Sequence, residues 1–154
     1  MRTFKSLADF SSYLLRLSVA LPHRLEPALD RAARKIKNRA QEKFGHYQGD
    51  IKSVPEWAEL AESTKASRVR LGFTENDPLL RTGSIRDHIT HRVYRSAGGV
   101  RADIGGSSPV LLYLELGTLH MPPRPTISGA LAELADETAI IMADRVVQVI
   151  AGRI

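Results

Sequence analysis

The stretch ITHRVYRSAGGVRADIG, residues 89–105, decides the fold class of this chain. Apolar and polar residues alternate on both sides of Ala97-Gly98-Gly99, a pattern typical of two antiparallel strands joined by a short hairpin loop. A lone hairpin is only marginally stable in water. We therefore expect this one to pack on helices or to join a sheet that a neighbouring subunit completes.

Helical periodicity flanks the hairpin on both sides. Apolar residues recur at spacings of three and four from Leu25 to Phe44 and again from Ile127 to about Ala151, which predicts two long helices. A separate amphipathic helix is expected over residues 3–18, ended by Pro22. The predicted fold class is α+β, with a small antiparallel sheet built on the hairpin and packed against long N- and C-terminal helices.

Shorter helical elements are expected between these parts. Capping residues and stop signals predict them at Ser63–Gly72, at Thr82–Asp87 and, with Ser108 as the N-cap before a proline, at Pro109–Leu116. A further helical turn is expected at residues 57–60.

Length and composition place the chain among single-domain proteins. Its 154 residues fit one domain, with residues 1–21 as an N-terminal helical extension and residues 22–151 as the core. The absence of cysteine excludes disulfides and thiolate metal sites. Because apolar runs are short and the N-terminus lacks an unbroken apolar segment, neither a membrane contact nor a signal peptide is expected.

The sequence offers little that points to catalysis. His88 and His91 are three residues apart, whereas a hydrolytic zinc site usually takes three protein ligands. No nucleophile elbow or phosphate-binding glycine pattern is present. We expect no enzyme activity, no cofactor and no metal; a hydrolase using His88, His91 or His120 stays open as an alternative that requires a bound metal.

A basic helix is the most suggestive charged feature. Residues 24–43 hold seven basic and three acidic side chains, which gives +4 of the formal charge of +5. This face could bind phosphates or an acidic protein surface, while a solvated face with i, i+4 ion pairs explains it equally well. A small basic nucleic-acid-binding protein is therefore the alternative function. The candidate partner-facing or DNA-facing residues are Arg31, Arg34, Lys35 and Arg39.

Two phrases of sequence, in a fixed order around the hairpin, carry a family resemblance. The first is Trp57-x-x-Leu60-x-x-x-Thr64 followed by Leu79-Leu80-Arg81-Thr82-Gly83-Ser84-Ile85-Arg86. The second is Tyr113-Leu114-Glu115-Leu116-Gly117-Thr118 followed by Met121-Pro122-Pro123-Arg124-Pro125. Together they resemble the virion-morphogenesis and tail-completion proteins of Mu-like and P2-like phages, and the related tail-component family of long-tailed siphophages. The resemblance covers about residues 22–150.

The resemblance implies a structural virion-assembly protein at the head–tail junction, a tail-completion or neck connector subunit. It implies a homo-oligomeric ring, hexameric or higher, that contacts neck, portal-adaptor or tail-tube proteins and DNA in the channel. Such a protein is found in the cytoplasm of the bacterial host during assembly and then in the virion. The family-motif residues, expected to be structural, are Trp57, Leu60, Thr64, Leu80, Thr82, Gly83, Glu115, Gly117, Thr118, Pro123, Arg124 and Pro125.

Overall fold

A computed structural model describes residues 3–52, 54–96 and 99–152. The described chain forms five helices and one antiparallel two-stranded sheet, which confirms the predicted α+β class with long N- and C-terminal helices. In order, the elements are α1 (Leu7–Glu42), α2 (Glu62–Arg70), α3 (Ser84–Asp87), β1 (Thr90–Ser96), β2 (Gly99–Gly105), α4 (Pro109–Leu116) and α5 (Ile127–Ile150).

The N-terminal helix is longer than the sequence pattern indicated. Helix α1 runs continuously through Pro22 and Pro27, so the prediction of a separate helix ended by Pro22 is wrong. A proline removes one backbone hydrogen bond and crowds the carbonyl four residues earlier. In a helix of 36 residues the remaining bonds persist, and burial of Ala28 and Ala32 stabilises the segment after Pro27.

The ends of the short elements depart from prediction in detail. Residues 57–60 are not helical, which corrects the predicted turn there. Helix α2 begins one residue before Ser63, and Ser63 is therefore not its cap. Gly83, with φ +80°, is the N-cap of α3, while the hydroxyl of Thr82 accepts a 3.4 Å hydrogen bond from the Ser84 N–H.

Other local predictions are confirmed. Helix α4 begins at Pro109, where the Ser108 hydroxyl accepts a 3.3 Å hydrogen bond from the Val110 N–H. Helix α5 begins at Ile127 as expected. Of the predicted hairpin loop, Ala97 and Gly98 lie outside the described residues.

The chain divides into two compact units. The first unit combines Met1–Arg34, Arg92–Asp103 and Asp136–Ile154, and the second combines Lys35–His91 and Ile104–Ala135. The single domain over residues 1–154 stays a prediction.

The second unit contains a contiguous hydrophobic core. It joins the C-terminal end of α1, the entry to β1, the buried side of α4 and the start of α5. The fully buried members are Ile36, Ala40, Phe44, Ile89, Leu111, Leu114 and Ala130. Aliphatic side chains dominate, in line with the low aromatic content of 6%.

The first unit brings the early part of α1 against the late part of α5. The Tyr13 hydroxyl donates a 2.8 Å hydrogen bond to the Ile150 carbonyl, and Arg145 Nε donates one of 2.8 Å to the Arg24 carbonyl. On β1, Arg95 Nε lies 2.9 Å from Glu26 Oε2. Among the described residues, no helix combines the length and apolar character that a membrane crossing needs.

Candidate interaction site

The carboxylate of Glu115, in the last turn of α4, caps the start of α5. Its Oε1 accepts hydrogen bonds of 2.7 Å from both the Thr126 and Ile127 N–H groups, and its Oε2 accepts one of 3.1 Å from the Ser128 N–H. The hydroxyls of Thr126 and Ser128 also donate to this carboxylate. The first N–H groups of a helix lack partners within it, and negative charge is favourable there. Glu115 therefore fixes the corner between α4 and α5.

Gly117 allows the chain to turn back after α4. Its φ is +76°, and a Cβ at this position would lie 2.9 Å from Pro123 N and 3.0 Å from Met121 O. Thr118 and Met121 then pair as an isolated antiparallel bridge. The close approach of the two chain segments requires glycine at residue 117.

Arg124 joins the two family phrases. It is buried, and its Nη2 donates to the carbonyls of Ala58 at 2.7 Å and Glu59 at 3.1 Å, while its Nε donates to Ala58 at 3.2 Å. Burial lowers the pKa of Arg124; an arginine nevertheless stays protonated at neutral pH. The carbonyls offset part of the cost of burying this charge. The segment after Trp57 is thereby fastened beside the proline-rich loop.

Trp57 is buried within the second unit. Its N–H donates a 2.9 Å hydrogen bond to the Gln48 carbonyl, and three residues later the Leu60 N–H donates to the Tyr47 hydroxyl at 3.0 Å. The indole Nε1 is buried and has no hydrogen-bond partner in the structure. The hydrogen bonds of the Trp57 and Leu60 backbone N–H groups therefore anchor this segment, and the indole ring is buried.

Arg68 is a structural residue that the sequence reasoning missed. It is buried on α2, and its Nε and Nη2 donate 2.7 Å hydrogen bonds to the Thr74 and Leu80 carbonyls. It thus holds the Leu80-to-Gly83 phrase in place. An arginine in a short polar helix gives no sequence signal of burial, because arginine is usually a surface residue.

The other motif residues divide between interior and surface. Leu80 packs against the core, and Gly83 and Pro125 are buried. Thr64, Thr82, Thr118 and Pro123 are exposed. All family-motif residues lie in the second unit, where the contacts of Arg124 bring the first phrase beside the second.

Helix α4 exposes most of its apolar side chains. Leu111 and Leu114 are buried, whereas the neighbouring residues face solvent, and Leu119 in the following loop is 99% exposed. Apolar residues scattered singly on a surface are ordinary, but a contiguous group indicates a contact surface. We define the α4 patch as Val110, Leu112, Tyr113, Leu116 and Leu119.

The candidate basic residues lie in different settings. Arg31, Arg34 and Lys35 are exposed, and Arg34 Nη2 lies 2.5 Å from Asp30 Oδ2. Arg39 instead contacts Glu133 on α5, with Nη2 2.5 Å from Oε1. The hydrogen bond to Glu133 raises the pKa of Arg39.

The three candidate histidines do not form a site together. His88 Nδ1 lies 2.5 Å from the Ser84 carbonyl, and His120 is exposed in the loop after α4. Across residues 3–52, 54–96 and 99–152, no group of three or more His, Cys, Asp or Glu side chains is placed to hold a metal ion.

The described geometry defines an α+β protein with a hydrogen-bonded α4–α5 corner and an exposed apolar helix. No protein-family model matches the chain, and no curated protein or solved structure matches it either.

Proposed function

We propose that this chain is a structural virion-assembly protein of a tailed phage or prophage. It acts at the head–tail junction as a tail-completion or neck connector subunit within a homo-oligomeric ring. The observation that carries the proposal is the α4 patch, whose large apolar side chains lie in solvent on a helix of only eight residues and in the loop that follows it. A subunit that meets neighbours keeps such a surface exposed until assembly covers it.

The framework below the α4 patch supports this function. The bonds from Glu115 to the start of α5 and from Arg124 to the Ala58 and Glu59 carbonyls fix the patch on a rigid base. A surface that is ordered before binding loses less conformational entropy when it binds. The motif residues thus hold the α4 patch in the position in which a partner would meet it. This role does not require any of them to be catalytic.

The proposed partners are copies of the same chain and proteins of the neck, the portal adaptor or the tail tube. DNA passing through the channel is a further proposed contact, since the chain carries a formal charge of +5. The protein would be present in the host cytoplasm during assembly and then in the virion.

Inactivation of the gene in the phage or prophage that encodes it tests this function. We expect electron microscopy to show heads and tails that do not join, or tails with incomplete ends, and infectivity to fall by orders of magnitude. Particles of normal appearance and infectivity would overturn the proposal.

A matched pair of variants tests the α4 patch itself. Leu112 in the patch and Leu71 after α2 are 57% and 56% exposed. Leu112→Asp should block particle completion although the purified chain stays folded. Leu71→Asp, supplied to the phage or prophage that lacks the gene, should restore particle completion. Equal complementation by both variants would remove the α4 patch from the proposal.

A further inference from the structure

Helix α5 carries an apolar stripe on the side that faces away from α1. Ile140, Ala143, Val147 and Ile150 are all exposed and follow one another at spacings of three, four and three residues. Residues at these spacings share one face of a helix. Val149 is buried and lies nine residues after Ile140, which is about two and a half turns and therefore the opposite face. We call these four exposed residues the α5 stripe.

Helix α1 carries a comparable stripe near its start. Leu15 and Val19 are exposed four residues apart, and exposed Ala8 and Ser12 extend the same face. The fully buried Ala28 lies nine residues after Val19, again about half a turn away around the helix. We call Ala8, Ser12, Leu15 and Val19 the α1 stripe.

The two stripes point away from each other within one copy. The inner faces meet, since Tyr13, Leu17 and Ala20 of α1 and Val149 of α5 line one cavity of about 750 Å³ in the first unit. The hydrogen bond from the Tyr13 hydroxyl to the backbone carbonyl of Ile150 also links the two helices. One copy therefore cannot cover either stripe with the other.

We propose that the α5 stripe of one copy docks on the α1 stripe of the next, in a head-to-tail contact between identical chains. Such a contact uses two different surfaces of each copy, and its repetition closes into a ring when the rotation allows it. The closed ring rests on the proposed function, whereas the pairing of the two stripes rests on the exposed side chains of α1 and α5.

Charge favours this pairing over contact between two α5 stripes. Residues 136–150 hold Asp136, Glu137 and Asp144 against Arg145, while residues 3–24 hold Lys5, Arg16 and Arg24 against Asp9. The two segments thus have opposite formal charges. Exposed Asp144 borders the α5 stripe, and exposed Arg16 borders the α1 stripe. Two α5 stripes facing each other would instead bring acid against acid.

The apolar area fits a weak, concentration-dependent contact. A fully buried Val, Leu or Ile side chain removes roughly 60–120 Å² from water. The five large side chains of the two stripes, each about half to three-quarters exposed, therefore supply a few hundred Å² of apolar contact. This is less than the roughly 1,000 Å² of a small specific interface, so polar contacts around the stripes would have to supply the remaining area. The association should accordingly rise with protein concentration.

Two single variants and their mixture test the pairing on the purified full chain. Val19, 75% exposed, is in the α1 stripe and Val147, 62% exposed, is in the α5 stripe. Analytical ultracentrifugation should show concentration-dependent oligomers for the unmodified chain and monomers for Val19→Asp and for Val147→Asp. An equimolar mixture of the two variants should form a 1:1 dimer and nothing larger, because only one intact pair of stripes remains.

Val69 on α2, 56% exposed, provides the matched control, and Val69→Asp should associate like the unmodified chain. Circular dichroism confirms that each variant is folded. If both stripe variants form the same oligomers as the unmodified chain, a different surface builds the ring and this inference is overturned while the proposed function stands. If the unmodified chain stays monomeric at every concentration, the inference is also overturned. The proposed function is tested separately, by the particles that form when the gene is inactivated.

Discussion

The guanidinium of Arg39 holds the carboxylate of Glu133 through two nitrogens, with Nε 3.0 Å from both oxygens and Nη2 2.5 Å from Oε1. Lys43, which is buried, adds a third nitrogen, with its Nζ 3.0 Å from Oε2. Glu133 thus pairs with two of the seven basic residues counted between residues 24 and 43. The charge excess of that segment is therefore not a continuous free surface, and part of it ties α1 to α5 inside the second unit.

Because of this pairing, the free energy of unfolding depends on pH in the acidic range. The hydrogen bond from Arg39 holds the pKa of Glu133 below its usual value, with contributions from Lys43 in the same direction. A carboxyl whose folded pKa is depressed stabilises the fold above its unfolded pKa of about 4.3, and this contribution is lost as pH falls through the folded pKa. The free energy of unfolding should fall more steeply below about pH 4.3 for the unmodified chain than for Glu133→Gln.

A double-mutant cycle with Arg39→Gln and Glu133→Gln measures the coupling free energy between the two side chains. Both side chains are partly exposed, so the coupling should be about 0.5–1 kcal/mol at neutral pH and should vanish in strong acid. Coupling of the same size at pH 2 and pH 7 would contradict the assignment.

Removal of the Glu115 carboxylate should destabilise the α4–α5 corner. Glu115→Ala leaves the first N–H groups of α5 without their acceptor, and we expect a loss of about 1–2 kcal/mol in the free energy of unfolding. Urea denaturation measures it. Glu75→Ala, at an exposed loop position, should change the free energy by less than about 0.5 kcal/mol. Similar losses in both variants would show that Glu115 does not cap α5.

The anchor at Arg124 can be followed through Trp57, the sole tryptophan of the chain. Arg124→Met removes the donors to the Ala58 and Glu59 carbonyls and should destabilise the protein by about 1–3 kcal/mol. The emission of Trp57, which is buried, should shift to longer wavelength under native conditions as the segment loosens. Arg70→Met, at an exposed position of α2, is the control and should leave the emission unchanged.

Alanine substitutions at Gly117 and at Gly72 distinguish the effect of steric contact from the effect of backbone strain. Both have positive φ, +76° and +79°, but a Cβ at residue 117 would lie 2.9 Å from Pro123 N, whereas one at residue 72 would meet nothing within 4 Å. Gly72→Ala should lose about 1 kcal/mol, and Gly117→Ala distinctly more, since the loop must also move. Equal losses by thermal denaturation would rule out the close contact as the cause.

Charge reversal on α1 tests its exposed basic residues. Arg31, Arg34 and Lys35 together changed to Glu should block particle completion while circular dichroism stays that of the unmodified chain. Normal infectious particles would exclude a role for these residues in assembly. Separately, tight binding of the isolated protein to duplex DNA that weakens steeply with salt would favour the nucleic-acid-binding alternative.

Local signals in the sequence were sufficient for part of the fold. The alternation in residues 89–105, the Ser108-Pro109 start of α4 and the periodicity of α5 each depend on residues close in sequence. The break at Pro22 failed because local proline chemistry was outweighed by the rest of a long helix.

The sequence indicates which residues form the candidate site, but it does not indicate most of the contacts that they make. Glu115 and Arg124 belong to the quoted phrases, but their partners lie 11–13 and 65–66 residues away. Arg39 and Glu133 are 94 residues apart, and no short-range pattern pairs them. Arg68 and Arg124 also take buried positions, for which the residue type gives no indication.

The short separation between Glu115 and the start of α5 also sets an order of events during synthesis. This corner can close once about a dozen further residues have left the ribosome, because short loops close fast and cost little entropy. Tyr13 must wait for Ile150, which is 137 residues further along. The early half of α1 therefore stays without its α5 partner until Ile150 has been synthesised. A chaperone that holds apolar helices would find its target there in Leu17 and Ala20, which line one cavity with Val149 in the folded chain.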